Sequence, residues 1–293
     1  MNNYHTPVLL EEAIEFLKVD SGSVVIDATL GGGGHTGRIL EKGAIVLGID
    51  QDPEAIAYVN NLFEDFIKKK KLILAEGNFS DISKIANENG FGQVSGVLYD
   101  LGVSERQLTD LNRGFSINSD ADLDMRMNPN LSVMAKDLVN GLTEKELAQL
   151  FLEYGEEKMS RKIARDIVNA RKSEKISTCK QLADIILKSK VRLSGLGKIH
   201  PATQCFQALR IIVNNELDNL KISLPQAASL LKAGGRLVVV SFHSLEDRIV
   251  KGYGLSEMRL KKITDKPVMA KEEELLNNPK SRSAKLRAYE KTG

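Results

Sequence analysis

The 293-residue sequence has few of the residues that build metal sites and disulfide frameworks. It contains two cysteines, Cys179 and Cys205, and no Cys-x-x-Cys pair. Its four histidines, at positions 5, 35, 200 and 243, are too scattered to give a zinc-ligand spacing. We therefore expect no bound metal, and we expect a protein from a reducing compartment.

Long apolar runs are also missing. No stretch reaches the roughly 18 consecutive apolar residues that a membrane-spanning helix needs, and the N-terminus lacks the apolar core of a secretory signal peptide. With 42% apolar residues, the chain can nevertheless bury a sizeable core, in one large domain or two modest ones. These features predict a cytoplasmic protein that does not associate with membranes.

Charge is nearly balanced overall, at +2, but it is unevenly distributed. Residues 1–157 carry 13 Lys and Arg against 26 Asp and Glu. Residues 158–200 carry 12 basic against 3 acidic side chains, and residues 258–291 carry 10 against 5. Two basic zones on an acidic body indicate a polyanionic partner, although a lysine-rich helix face exposed to solvent would give the same pattern.

The most informative stretch contains four consecutive glycines, Gly31–Gly34, which follow a short apolar strand and Asp27. A strand that leads through glycines into a helix is typical of a nucleotide-binding βαβ unit, because the glycines allow close approach of a ligand and the helix N-terminus offers unpaired N–H groups. The residues after Gly34 are His35 and Thr36 rather than the Lys-Ser/Thr of a phosphate-binding P-loop. The sequence therefore predicts a nucleotide-like ligand at this turn, bound without a P-loop.

Strand and helix patterns alternate over the first hundred residues. Such alternation predicts an α/β fold with a doubly wound, mostly parallel sheet. The predicted strands lie near 23–28, 44–50, 71–76 and 94–100, and the predicted helices near 35–42, 53–67 and 80–89.

Acidic residues follow three of these strands. The carboxyl ends of parallel strands meet at one edge of the sheet, so Asp27, Asp50 and Asp100 should face one crevice. Asp50 comes 18 residues after Gly32, close to the roughly 20 expected for a carboxylate that binds ribose hydroxyls. Together the acids favour S-adenosylmethionine over a dinucleotide. We expect the glycine turn to hold the methionine portion, Phe79 to pack on adenine, and Asp100 to lie where the methyl group points.

After Asp100 the alternation stops, and this change suggests an insertion. Residues 102–131 are predicted to form a long loop and residues 132–192 to be helical, so that an inserted all-helical domain covers 108–203. The α/β domain then comprises 1–107 and 204–293. In its second part we expect Gly234-Gly235 to end a helix, with strands near 236–242, 261–268 and 284–291.

Eight motifs along the chain, in collinear order, resemble one enzyme family. They are Asp100–Ser104, Gly114–Ser116, Leu123–Met127, Tyr154–Glu157, His200–Thr203, Phe206–Ile211, Ser241–Asp247 and Ser281–Arg287. On these motifs the sequence resembles the bacterial 16S rRNA (cytosine-N4)-methyltransferases, the MraW (RsmH) family. The resemblance implies a class I S-adenosylmethionine-dependent methyltransferase with a Rossmann-like sheet and an inserted helical domain for RNA recognition. It further implies methyl transfer to the exocyclic N4 amine of a cytidine in the decoding region of 16S rRNA, in the small ribosomal subunit.

The chemistry of such a transfer suggests the catalytic residues, and the resemblance implies the cofactor contacts. Asp100 is our first candidate for the acceptor that hydrogen-bonds the amine, with Ser241 or His243 as its catalytic neighbours. The family's cofactor contacts correspond to Gly33, Gly34, His35, Asp50, Phe79, Asp100 and Gln107.

RNA contacts are expected from basic residues in three places. The basic helix of the insertion should contact the RNA backbone, a second group should lie nearer the base, and the C-terminal segment Lys280–Arg287 offers a further cation. These residues are Arg161, Arg165, Arg171 and Lys172, then Arg113, Arg126 and Arg210, and finally Arg282.

The sequence departs from the family pattern at two places, and it also allows two other functions. Gln204 stands where the family usually has arginine, and Ala121-Asp122 replaces the usual Gly-Pro. An RNA cytosine-C5 methyltransferase would need a cysteine nucleophile, for which only Cys179 and Cys205 could serve. A ribosome-assembly factor could keep the cofactor pocket without turnover. The chain is expected to be a monomer or a homodimer.

Overall fold

The computed structural model describes residues 7–190 and 200–293. The chain divides into two compact units, one running through Ser104 and resuming over Leu217–Gly293, and the other formed by Glu105–Glu216. The second unit thus extends beyond the expected insertion end at residue 203 and includes the next helix. A role for this unit in RNA recognition stays a prediction.

The first unit is built from seven strands and the helices between them. Its strands are β1 (Val24–Asp27), β2 (Ile45–Asp50), β3 (Leu72–Glu76), β4 (Val94–Asp100), β5 (Leu231–Ser241), β6 (Leu260–Lys262) and β7 (Lys285–Lys291). Its α-helices are α1 (Leu10–Leu17), α2 (Gly34–Glu41), α3 (Pro53–Leu62), α4 (Glu64–Lys68), α5 (Ile82–Glu88), α12 (Glu216–Leu230, of which Glu216 belongs to the other unit), α13 (Ser244–Ser256) and α14 (Glu272–Asn277). Short 3₁₀ turns cover Phe79–Asp81 and Pro279–Ser283.

The strands form one sheet in the order β3-β2-β1-β4-β5-β7-β6. Strands β1 to β5 are parallel, and β7 runs antiparallel to both β5 and β6. The predicted doubly wound, mostly parallel sheet is confirmed. Because β1 pairs with both β2 and β4, the chain changes direction across the sheet at β1, and ligands of such sheets bind beside the carboxyl ends of strands at this point.

Strands β4 and β5 read as continuous apolar runs because helices cover both faces of the sheet. Leu98 and Val238 are completely buried on the face that packs against α1 and α2, whereas Val97 and Tyr99 point into the core beneath α5 and α12. Because side chains alternate along each strand, they fill a separate core on each face of the sheet. The same alternation decides toward which face the last residue of a strand points.

The prediction that Gly234-Gly235 ends a helix is wrong. Helix α12 ends at Leu230, and the chain passes directly into β5, so both glycines lie within the strand. The pairing of β4 with β5 shifts register between Val94 and Gly96. A Cβ on Gly235 would lie 2.8 Å from the Lys232 carbonyl oxygen, so the glycine permits this irregularity rather than a helix end.

The second unit is helical, as expected. It contains α6 (Glu105–Thr109), α7 (Ala135–Gly141), α8 (Glu144–Gly155), α9 (Ser160–Arg171), α10 (Cys179–Lys190) and α11 (Thr203–Val213), with a 3₁₀ turn at Leu111–Arg113. Helix α8 begins with a capping box in which the Thr143 hydroxyl accepts from the Glu146 N–H group and the Glu146 carboxylate accepts from the Thr143 N–H group. The short helix α6 lies where the sequence predicted only loop.

Within residues 7–190 and 200–293, no helix combines the length and the apolar character needed to span a membrane.

Candidate functional site

The glycine turn is organised by Asp27, which ends β1 and is only 1% exposed. Its carboxylate accepts from the Thr29 N–H group at 3.2 Å and from the Thr36 hydroxyl at 2.7 Å. Burial raises the pKa of Asp27, while the nearby His35 and these two hydrogen bonds oppose the increase. Because both oxygens serve the turn itself, Asp27 shapes the crevice rather than facing into it.

Two glycines of the turn are required by close packing. A Cβ on Gly33, whose φ is +75°, would lie 2.8 Å from the Phe63 ring, and one on Gly34 would lie 2.7 Å from the Pro7 ring. Helix α2 begins at Gly34 without a side-chain cap, so its first-turn N–H groups can receive an anionic ligand group. The turn, called the glycine cradle below, thus packs closely against Phe63 and Pro7, and its uncapped helix start suits a carboxylate.

Asp50 links the end of β2 to this cradle. Its Oδ2 accepts from the Gly31 N–H group at 2.8 Å, and its Oδ1 accepts from the Asp52 N–H group at 2.9 Å. Each carboxylate oxygen can still accept a second hydrogen bond, so the group can take two ribose hydroxyls. Burial raises the pKa of Asp50 to about 6, despite the two N–H groups that lower it.

We expect cofactor affinity to fall as the pH drops through about 6. Protonation of Asp50 removes one acceptor, so ribose binding favours the ionised form present above that pKa. Calorimetric titration with S-adenosylhomocysteine from about pH 5 to 8 should show up to roughly tenfold weaker binding per pH unit on the acid side. An Asp50→Asn variant should bind about 10–100-fold more weakly at neutral pH and show no such slope. A flat wild-type profile would contradict this role.

The ring of Phe79, the predicted adenine contact, packs against the core, and α12 forms hydrogen bonds near it. Its ring packs edge-to-face on Tyr99, with ring centroids 5.7 Å apart, and the buried Tyr99 hydroxyl shares a hydrogen bond with Ser223 of α12. From the same helix, Gln226 donates to the Ser80 carbonyl at 2.6 Å. Sequence reasoning missed Ser223 and Gln226, because they lie more than a hundred residues from the loop they hold.

Asp100 ends β4 at the same edge of the sheet. Its backbone N–H group donates to the Thr29 hydroxyl at 2.6 Å, and its Oδ2 lies 3.6 Å from Nδ1 of His35. His35 is 4% exposed. Six of the predicted cofactor residues therefore share the first unit and surround one edge of its sheet; they are Gly33, Gly34, His35, Asp50, Phe79 and Asp100.

Ser241 and His243, the predicted neighbours of Asp100, are held by local structure. The buried Ser241 hydroxyl donates to the Lys285 carbonyl at 3.2 Å. His243 is the N-cap of α13, where its Nδ1 accepts from the Glu246 N–H group at 3.4 Å and its Nε2 lies 3.1 Å from Glu246 Oε1. Both residues thus stabilise the end of β5, and a catalytic role for either stays a prediction.

Gln107 and the arginines predicted near the base lie in the second unit. Gln107 is buried on α6. Arg126 forms a bidentate pair with Asp124 at 2.7 and 2.8 Å, and Arg210 pairs with Glu216 at 2.8 and 2.9 Å. Arg113 donates to the carbonyl groups of Arg126 and Met127. These contacts stabilise the unit, and contact with RNA stays a prediction.

The basic side chains on and just after α9 are of two kinds, one bonded to a neighbouring helix and the others exposed. Arg171 donates at 2.5 and 2.6 Å to the Val139 and Leu142 carbonyl oxygens at the end of α7. Its guanidinium therefore caps a helix C-terminus, which its position in the sequence did not reveal. Of the predicted RNA contacts, Arg161 and Arg165 on α9, Lys172 just after it, and Arg282 in the first unit are exposed.

Both departures from the family pattern have a defined place in the second unit. The exposed Gln204 side chain donates to the Glu156 carbonyl at 3.3 Å. Asp122 forms an isolated β-bridge with Thr178 and an ion pair with Lys136 at 2.7 Å. The loop that carries Ala121-Asp122 is thus tied to the start of α10.

Comparison with known proteins covers the whole chain. The model of the MraW methylase family matches residues 2–292. The chain is 48% identical over 288 residues to ribosomal RNA small subunit methyltransferase H of Deinococcus radiodurans, spanning 98% of this chain and 89% of that protein. The protein of that name from Deinococcus deserti is 47% identical over 288 residues, spanning 98% and 93%. The one from Coprothermobacter proteolyticus is 43% identical over 298 residues, spanning 99% and 98%.

Proposed function

The chain belongs to the MraW methylase family, and from this membership we propose that it methylates the exocyclic N4 amine of a cytidine in the decoding region of 16S rRNA. At a coarser level, the chain is an S-adenosylmethionine-dependent rRNA methyltransferase with a class I fold. The observation that carries the finer proposal is a carboxylate, Asp100, at the switch-point edge of the sheet, beside the glycine cradle.

The residues present fit the cofactor. Phe63 and Pro7 pack closely against Gly33 and Gly34 and fix the turn, and the adjoining uncapped first turn of α2 suits the methionine carboxylate. Asp50 offers both carboxylate oxygens to the ribose, and Phe79 offers an apolar face to adenine. When bound, S-adenosylmethionine supplies a methyl group that its sulfonium centre makes electrophilic.

Asp100 supplies what the cytosine amine needs. The lone pair of that amine is delocalised into the ring, so the amine is a poor nucleophile. A carboxylate that accepts a hydrogen bond from the amine helps localise the lone pair as the new N–C bond forms and the S–C bond breaks, with the electron pair passing to sulfur. The amine proton then leaves to Asp100 or to solvent. Positioning of the two reactants contributes the rest of the acceleration, and the base must leave its stack to reach the crevice.

Both cysteines are poorly suited to the alternative C5 chemistry. Cys179 and Cys205 are completely buried in the second unit, and burial raises the pKa of Cys179 to about 12 and that of Cys205 as well. A C5 mechanism needs a thiolate that attacks the base, and raised pKa values keep these thiols protonated near neutral pH.

We therefore expect a Cys179→Ala, Cys205→Ala double variant to keep its methylation rate within a few-fold of wild type. Thermal unfolding should show a modest loss of stability, since two buried side chains become smaller, by roughly 1–2 kcal/mol each. Loss of activity in a variant that remains folded would revive the C5 mechanism.

The direct test is nucleoside mass spectrometry. Small ribosomal subunits from cells that lack the gene would be incubated with the purified protein and labelled cofactor, and the RNA digested to nucleosides. We expect labelled N4-methylcytidine, and fragment mapping should place it in the decoding region. Labelled 5-methylcytidine would support the alternative chemistry, and no labelled nucleoside would favour an assembly factor without turnover.

A further inference from the structure

The side chain of His35 is fixed by a contact from outside its own helix. Its Nε2 lies 3.2 Å from the carbonyl oxygen of Val8, in the segment that precedes α1. Because a carbonyl oxygen only accepts hydrogen bonds, Nε2 must carry the proton of this contact. The other ring nitrogen, Nδ1, faces Oδ2 of Asp100 at 3.6 Å.

The proton on Nδ1 decides whether the contact with Asp100 is attractive. A neutral ring protonated at Nε2 would turn the lone pair of Nδ1 toward a carboxylate, which is repulsive. A second proton on Nδ1 converts the contact into an ion pair. The distance between Nδ1 and Oδ2 is longer than a hydrogen bond here, and ligand binding can shorten it. Asp27 lies close enough that the charge of His35 lowers its pKa and that of Asp100 raises it. The His35 ring thus lies near the carboxylates of both Asp27 and Asp100.

The contact that orients the ring is itself anchored by the far end of the chain. Leu9 has a positive φ of 52°, and its N–H group donates to Glu274 Oε1 of α14 at 2.9 Å. This bond joins residues 265 positions apart and holds the Val8 carbonyl in place. The orientation of His35 is therefore built into the fold rather than left to the ligand.

We propose that His35 is a positioning residue for methyl transfer, which holds the Asp100 carboxylate in the orientation that receives the cytosine amine. This inference rests on the proposed function of Asp100. It goes beyond cofactor contact, because the ring acts on Asp100 while the backbone of the same residue belongs to the glycine cradle.

Two substitutions separate the two ring nitrogens. His35→Gln places an amide near the position of Nε2, so it can still donate to Val8 but presents nothing to Asp100. His35→Asn places an N–H donor near the position of Nδ1 and gives up the contact with Val8. With saturating cofactor and RNA, we expect His35→Gln to lower kcat about 10–100-fold and His35→Asn to recover most of that loss. Calorimetry should show cofactor affinity within about threefold of wild type for both.

A second pair of variants tests the anchor without altering the site. Glu274→Ala removes the acceptor for the Leu9 N–H group, whereas Glu274→Gln retains one. We expect a lower kcat for Glu274→Ala only, again with unchanged cofactor affinity, and thermal unfolding would confirm that each variant is folded. This pair gives a result even if His35→Gln does not fold.

The inference is overturned if folded His35→Gln keeps the wild-type kcat. It is also overturned if both His35 variants lose cofactor affinity but keep kcat. If His35→Gln does not fold, a wild-type kcat for Glu274→Ala overturns the inference instead. The proposed function fails separately, when wild-type protein itself forms no N4-methylcytidine. A wild-type enzyme that makes N4-methylcytidine beside an unimpaired His35→Gln variant would remove only the role of His35.

Discussion

An Asp100→Asn variant should transfer methyl groups about 10²–10³-fold more slowly than wild type, the range expected when a positioned proton acceptor is removed. The substitution preserves the size of the side chain, and the bond from the Asp100 backbone N–H group to Thr29 does not involve that side chain. The glycine turn should therefore stay intact. What changes is the charge that the amine meets as it attacks, so the loss should appear in kcat.

Single-turnover measurements at saturating cofactor would isolate this chemical step. An Asp65→Asn variant is a suitable control. Asp65 is an exposed carboxylate on α4, which leads into the start of β3, whereas Asp100 is the last residue of β4. Calorimetry should give Asp65→Asn the wild-type cofactor affinity, and the saturating cofactor keeps any weaker cofactor binding by Asp100→Asn out of the measured rate. If Asp100→Asn turned over at the wild-type rate, the acceptor would have to be sought at Ser241 or His243.

Much of the first unit could be predicted from the sequence because its signals are local. Apolar runs of strand length mark β1 to β4, and the glycines follow β1 within a few residues. The carboxylates of Asp50 and Asp100 could be placed together because parallel strands end at a common edge. Each of these inferences needs only a few neighbouring residues and one rule of topology.

What the sequence did not reveal depends on contacts between distant segments. The bond between Leu9 and Glu274 joins residues that no periodicity connects. Gln226 is an ordinary polar position on α12 until the fold brings it to the Ser80 carbonyl. Residue type alone also could not show that Arg171 caps α7, because its guanidinium suits a helix C-terminus and a phosphate equally well.

A test of the predicted RNA surface should therefore separate the exposed cations of α9 from Arg171, which caps α7. We expect an Arg161→Ala, Arg165→Ala, Lys172→Ala variant to bind small-subunit rRNA about 10²-fold more weakly near 0.1 M salt, because each phosphate contact releases counterions. The three side chains are exposed on or just after α9. Cofactor affinity should not change, since the cofactor residues on β2 and β4 belong to the first unit.

Salt dependence separates phosphate binding from a general loss of structure. The log–log slope of affinity against salt should become shallower by about 0.7–0.9 for each phosphate that the variant no longer neutralises, and so by roughly 2–3 in the triple variant. Arg171→Ala is the matched control, because it removes one charge from the same helix but also two bonds to the end of α7. It should lower the unfolding temperature and leave the slope nearly unchanged. A triple variant with the wild-type slope would mean that α9 is only a solvated face, and that the RNA is held instead by the C-terminal segment around Arg282.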